Sequence, residues 1–92
     1  MEQRIIKRWR VTKMERMTKP LDIYPKMNYH FKADHTVAMI TQIGSTLKGI
    51  WKLKDSVLTI SVKGESKEFS IQKLTEDTLI VSSGEFRFYL KE

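Results

Sequence analysis

The residues able to do chemistry are few. Two histidines, His30 and His35, and eleven carboxylates are the candidate acids and bases of this 92-residue chain. No Ser/His/Asp order, no pair of carboxylates on one inward face and no glycine-rich phosphate loop accompanies them. There is no cysteine, which removes thiolate nucleophiles, Cys-type zinc sites and redox motifs, and two histidines do not by themselves assemble a metal cage. In the alternation described below, His30 points outward and His35 lies in a turn. No catalytic residue, metal or cofactor is therefore expected, and the chain reads as non-enzymatic.

Charge offers a second kind of chemistry. The formal net charge is +6, and residues 1–32 hold nine Lys/Arg against three acids while the other sixty hold eight of each. This basic stretch (Arg4, Lys7, Arg8, Arg10, Lys13, Arg16, Lys19, Lys26, Lys32) could attract phosphates or an anionic membrane surface. Its cations alternate with apolar residues, which is the pattern of a solvated outer face. Nucleic-acid binding needs aromatics exposed between the cations. Trp9 and Tyr24 are the aromatics available, Trp9 alternates inward with Val11, and no ribonucleoprotein or cold-shock pattern is present. Nucleic acid is thus the least expected partner. No apolar run approaches the ~18 residues of a membrane-spanning helix. Without a charged n-region and apolar h-region the chain as written reads as cytoplasmic, or as an envelope or secreted protein if a leader was removed before Met1.

The elements that must position these residues are short and extended. From Met27 onward apolar residues recur at every second position in runs of six or seven broken by Gly, Ser or Asp, the pattern of half-buried antiparallel strands. The inward sets are Met27, Tyr29 and Phe31; Val37, Met39, Thr41 and Ile43; and Leu47, Gly49, Trp51 and Leu53. They continue with Leu58, Ile60 and Val62; Phe69 and Ile71; Leu79 and Val81; and Phe86, Phe88 and Leu90. Turns are expected at Asp34-His35-Thr36, Gly44-Ser45-Thr46, Asp55-Ser56, Gly64-Glu65-Ser66, Thr75-Glu76-Asp77 and Ser83-Gly84. Across a two-residue loop, facing residues share one side of the sheet. The loop Asp55-Ser56 pairs Leu53 with Leu58 and Trp51 with Ile60; the loop Ser83-Gly84 pairs Val81 with Phe86 and Leu79 with Phe88. Apolar meets apolar in both.

Nearer the N-terminus, Glu2 to Lys7 fits one or two helical turns, and Trp9, Val11 and Lys13 alternate as another strand with Trp9 and Val11 inward. Glu15 to Lys26 carries Pro20 and Pro25 and reads as a loop or extended crossover. About eight strands result. A chain this small buries only about 60–65% of its unfolded surface and forms one domain, 1–92. Its strands avoid open edges best by curling into a small antiparallel up-and-down barrel or half-barrel.

Several stretches together resemble a known family. Arg8-Trp9-Arg10-Val11-Thr12-Lys13-Met14, Phe31-Lys32-Ala33-Asp34-His35-Thr36-Val37, Gly49-Ile50-Trp51-Lys52-Leu53, and Phe69-Ser70-Ile71-Gln72-Lys73-Leu74-Thr75 followed by Thr78-Leu79-Ile80-Val81 are similar, in order and spacing, to the short lipocalin-like domains of Bacteroidetes-type bacteria. The chain departs from the pattern twice: Lys7 replaces a glycine before the first Trp, and His35 replaces the glycine of Asp-Gly-Thr, so His35 must take a left-handed turn conformation. The resemblance implies a calycin-like barrel and binding of a small apolar molecule, and makes Trp9, Asp34, Gly49 and Arg87 structural. It also suggests that Arg87 stacks on Trp9 at the barrel end.

A ligand inside such a barrel would meet Tyr29, Phe31, Met39, Trp51, Phe69 and Phe88. Tyr29 either orients that ligand through its phenol or is a core tyrosine whose hydroxyl reaches the rim. Met14, Met17, Met27 and Met39 either form a pliable mouth or pack as ordinary core and loop residues. The expected interior also holds Trp9 and Phe86, so seven of the nine aromatics compete with a ligand for space. The alternative is therefore a filled module that self-associates or docks a protein through outward Ile40, Ile50, Ile80 and Tyr89.

Overall fold

The computed structural model describes residues 2–41 and 43–92, with Glu2 described by its backbone. Among these, a short helix α1 (Glu2–Ile5) precedes strands β1 (Arg8–Arg16), β2 (Lys19–Leu21), β3 (Asn28–Phe31), β4 (Thr36–Ile40) and β5 (Thr46–Lys54). Strands β6 (Val57–Val62), β7 (Glu65–Leu74), β8 (Thr78–Ser83) and β9 (Phe86–Lys91) complete the chain. All pairings are antiparallel. Strands β1 and β3 to β9 run as a meander whose last strand pairs back onto the first, closing an eight-stranded barrel, and β2 adds a ninth strand outside it. Closure removes the free edges that a sheet of this size would otherwise expose.

Two devices bend the sheet enough to close. The first half of β5 pairs with β4 and its second half with β6, the changeover falling at Ile50. Gly49 stands at this bend, where a Cβ would overlap the carbonyl oxygen of Ser61. The second device is a bulge on β1 between Val11 and Lys13. An extra residue flips the alternation downstream of it, so Met14 is buried and Lys13 exposed, the reverse of the simple alternation expected for this strand. A second irregularity between Ile71 and Lys73 lets β7 keep Leu74 partly buried against the core.

The hairpin registers depend on which residues hold positive φ. Asp55, at φ 56°, carries the β5–β6 turn, and Leu53 faces Leu58 and Trp51 faces Ile60 as expected. The β8–β9 loop is Gly84-Glu85 rather than Ser83-Gly84, with Gly84 at φ 57° as the first central residue. The expected register is therefore corrected by two residues: Val81 faces Phe88 and Leu79 faces Leu90. A slip of two preserves the faces, so the inward set survives. The β6–β7 turn is Lys63-Gly64, both at positive φ as a type I′ turn requires, not Gly64-Glu65-Ser66. His35 takes the left-handed conformation expected of it, at φ 67°.

Two further expectations are corrected. The segment expected as a loop or extended crossover holds a regular strand, β2, whose Pro20 faces Glu15 on the outer edge, where no ladder N–H is needed. Ile43 is 86% exposed because β4 ends at Ile40, before the alternation reaches it.

Buried residues fill the barrel from the α1 end. Ile5 and Trp9 are wholly inaccessible, and the Trp9 Nε1–H donates to the Ile5 carbonyl at 3.0 Å. The Lys7 ammonium lies 5.2 Å from the Trp9 ring centroid and donates to the Glu76 carbonyl at 2.7 Å. Lys7 thus occupies the cation position over Trp9 that the resemblance suggested for Arg87, which is exposed on β9 facing Ser82 and Glu15.

Candidate functional site

The barrel has a plugged end and an open end, and local sequence explains both. At the α1 end the Phe31 ring meets the Trp51 ring edge-on at 5.7 Å. The Trp51 Nε1–H donates to the Lys32 carbonyl at 3.0 Å, and His35 tilts onto Trp51 at 4.8 Å. Asp34 fixes the turn beneath them: its Oδ1 accepts from the Thr36 amide at 3.0 Å and from the Thr36 hydroxyl at 2.6 Å. The Thr36 hydroxyl and amide hold the Asp34 carboxyl below its usual pKa. Next to Phe31, a narrow void lined also by Leu58, Leu79, Val81 and Leu90 measures about 10 Å³, room for a single water at most.

At the other end the interior opens to solvent. The cavity there measures about 540 Å³, within the range of about 300–1,000 Å³ typical of small-molecule sites. Its floor and walls are Tyr29 from β3, Met39 from β4, Leu47 from β5, Ile60 and Val62 from β6, Phe69 from β7 and Phe88 from β9. Its rim is Lys63 from the β6–β7 turn with Glu65, Ser66 and Lys67 from β7. Both tryptophans lie outside the open cavity, whose wall combines the rings of Tyr29, Phe69 and Phe88 with Met39, Leu47, Ile60 and Val62.

Tyr29 marks the boundary. It borders both the narrow void and the open cavity, stacks on Phe31 at 6.1 Å, and its hydroxyl has no hydrogen-bond partner among the described residues. Burial pushes the phenol up to about 12, so it is neutral and able to donate at any physiological pH.

Of the six residues expected to meet a ligand, Tyr29, Met39, Phe69 and Phe88 line the open cavity. Phe31 lines only the narrow void, and Trp51 lies beyond both. Met14 and Met27 are buried in the core, while Met17 is exposed in the β1–β2 turn. The outward apolar residues divide into two places. Ile80 and Tyr89 face each other on β8 and β9, whereas Ile40 and Ile50 sit on β4 and β5, with β6 and β7 between the pairs. The Tyr89 hydroxyl donates to Glu15 Oε1 at 2.8 Å, under the Lys13 ammonium.

Sequence reasoning missed the rim. With the turn at Lys63-Gly64, Leu58 faces Phe69 and Ile60 faces Lys67, so the Lys67 side chain belongs to the inward face. The signal was available: Lys63-Gly64 directly follows Val62, the last inward apolar residue of the strand, and an X-Gly pair there suits a two-residue hairpin turn.

No group of His, Asp or Glu that could hold a metal ion occurs among the described residues, and no helix is long and apolar enough to cross a membrane.

A closed antiparallel meander of eight strands with one plugged and one open end defines a lipocalin-like barrel. The family model described as a lipocalin-like domain matches residues 5–81, and the chain belongs to that family. Two solved structures share the fold. A lipocalin-like protein from Bacteroides uniformis ATCC 8492 is 12% identical with a TM-score of 0.78, covering 97% of this chain and 98% of that one. An uncharacterized protein from Bacteroides eggerthii DSM 20697 is 12% identical with a TM-score of 0.77, covering 95% and 98%. No curated protein matches the chain.

Proposed function

We propose that this domain is a non-enzymatic binding module that holds a small apolar ligand in the open end of its barrel. The observation that carries the reading is the asymmetry of the interior: the void between Phe31, Leu58, Leu79 and Leu90 holds about 10 Å³, whereas the cavity at the other end holds about 540 Å³ against an apolar wall. A barrel serving only as a rigid module has no need of the second volume. The alternative, self-association through the outer sheet face, draws less support, because the four outward apolar residues lie on separate parts of the surface.

Burying one methylene is worth about 0.8 kcal/mol, so a ten-carbon chain brings several kcal/mol before association and ordering are subtracted. Micromolar to millimolar affinity is the expected range. The test is titration with the neutral apolar dye N-phenyl-1-naphthylamine. Saturable enhancement at one site per chain is expected for the native sequence, with displacement by 1-decanol. In Leu47→Trp, whose larger side chain takes up part of the cavity, the dye affinity is expected to fall while the melting temperature is kept. Enhancement that does not saturate, or an affinity that Leu47→Trp leaves unchanged, contradicts the proposal.

A further inference from the structure

The rim of the cavity carries an inward-facing cation held over aromatic rings. Lys67 stands opposite buried Ile60 on β6 and shares the face of Phe69, so the register turns its side chain toward the mouth. Its ammonium sits 5.7 Å from the Phe69 centroid and 5.9 Å from the Phe86 centroid. No carboxylate forms an ion pair with it among the described residues. Lys63 adds a second cation at the same rim and Glu65 a single acid, which leaves the mouth net positive. A lysine on a solvated barrel face ordinarily points its ammonium outward into water. This one lies across two rings at the only charged border of an apolar cavity among the described residues. That arrangement restricts its conformations and makes it ready for an anion arriving with an apolar tail.

We infer that the cavity takes single-chain amphiphiles with an anionic head, the tail against Met39, Leu47, Ile60 and Phe88 and the head against Lys67. This rests on the apolar-ligand reading above and adds the sign of the head group to it. The tail supplies most of the affinity, and the exposed cation supplies selectivity of about fivefold, the upper end for a solvent-accessible ion pair. The selectivity is screened by salt, whereas tail burial is not.

Isothermal titration at pH 7.5 with decanoate, 1-decanol and decyltrimethylammonium, each below its aggregation threshold, tests the inference. Decanoate is expected to bind about fivefold more tightly than decanol and decyltrimethylammonium more weakly than either. Lys67→Gln is expected to bring the decanoate-to-decanol ratio close to one, and Lys52→Gln, an outward lysine on β5, to leave it as it is. If the two ligands bind the native protein equally, if the cationic ligand binds best, or if the ratio survives Lys67→Gln, the head-group inference falls and the apolar-ligand reading stands. If none of the three binds, both fall.

Discussion

Tyr29 carries the division of the barrel at the scale of one residue. Its ring stacks on Phe31, and the residue lines both the narrow void and the open cavity, its hydroxyl without a hydrogen-bond partner among the described residues. The raised pKa has a consequence for stability. Below pH 10 folded and unfolded chains both keep the phenolic proton. Between pH 10 and about 12 the unfolded chain loses it while the folded chain retains it, so stability falls with rising pH. The loss amounts to about 2–3 kcal/mol across that window. In Tyr29→Phe this loss is absent, so denaturant titrations at pH 9 and pH 12 are expected to converge for the variant relative to the native sequence. An equal alkaline loss in both would show that Tyr29 is not buried. Both readings of this residue, ligand-orienting phenol and core tyrosine, were open from the sequence, because alternation places a ring inward without saying how deep it lies.

The strands were legible because period-two alternation is a direct record of a sheet with one buried face. The Asp55-Ser56 hairpin was legible down to its pairs. Where the reading slipped, it did so at irregularities that alternation does not encode. The bulge on β1 exchanges Lys13 and Met14, the Gly84-Glu85 loop shifts β9 by two, and the Lys63-Gly64 turn sets Lys67 opposite Ile60. Each depends on one residue's φ or on one extra residue. The bulge gives a prediction at this scale. Deleting Thr12, the extra residue, leaves Trp9, Val11 and Met14 on one face of a regular strand and removes only the local bend and its hydrogen bond to the Tyr89 carbonyl. The expected cost is about 1–3 kcal/mol, with a cooperative thermal transition retained. Deleting Arg10 instead turns Trp9 to solvent, which costs more than about 3–5 kcal/mol, a large share of a small domain's stability. Circular dichroism of the two deletions is expected to show a folded barrel for the first and a largely unfolded chain for the second. Equal damage in both would mean that the bulge sets more than the register.

For the molecule as a whole, a chain of 92 residues has little interior to divide. The expected interior aromatics are divided between the two ends. Trp9, Phe31 and Trp51 gather at the end closed by α1, while Tyr29, Phe69 and Phe88 join Leu47, Ile60 and Val62 around the open cavity. The family resemblance was legible from four short motifs, and three of them, around Trp9, Asp34 and Trp51, belong to the plugged end. The open end is touched by the fourth only through Phe69, and its rim by none of them, since a cavity is made by the residues that fail to fill it. That is why the barrel could be read in advance and its mouth could not.

The most direct measurement of this division is methyl-labelled NMR of the full chain titrated with 1-decanol. Shifts confined to Met39, Leu47, Ile60 and Val62, with Ile5, Val11 and Val37 unmoved, are the expected result. Shifts spread equally over both ends, or found only on the outer residues Ile50 and Ile80, would contradict a barrel that is plugged at one end and receptive at the other.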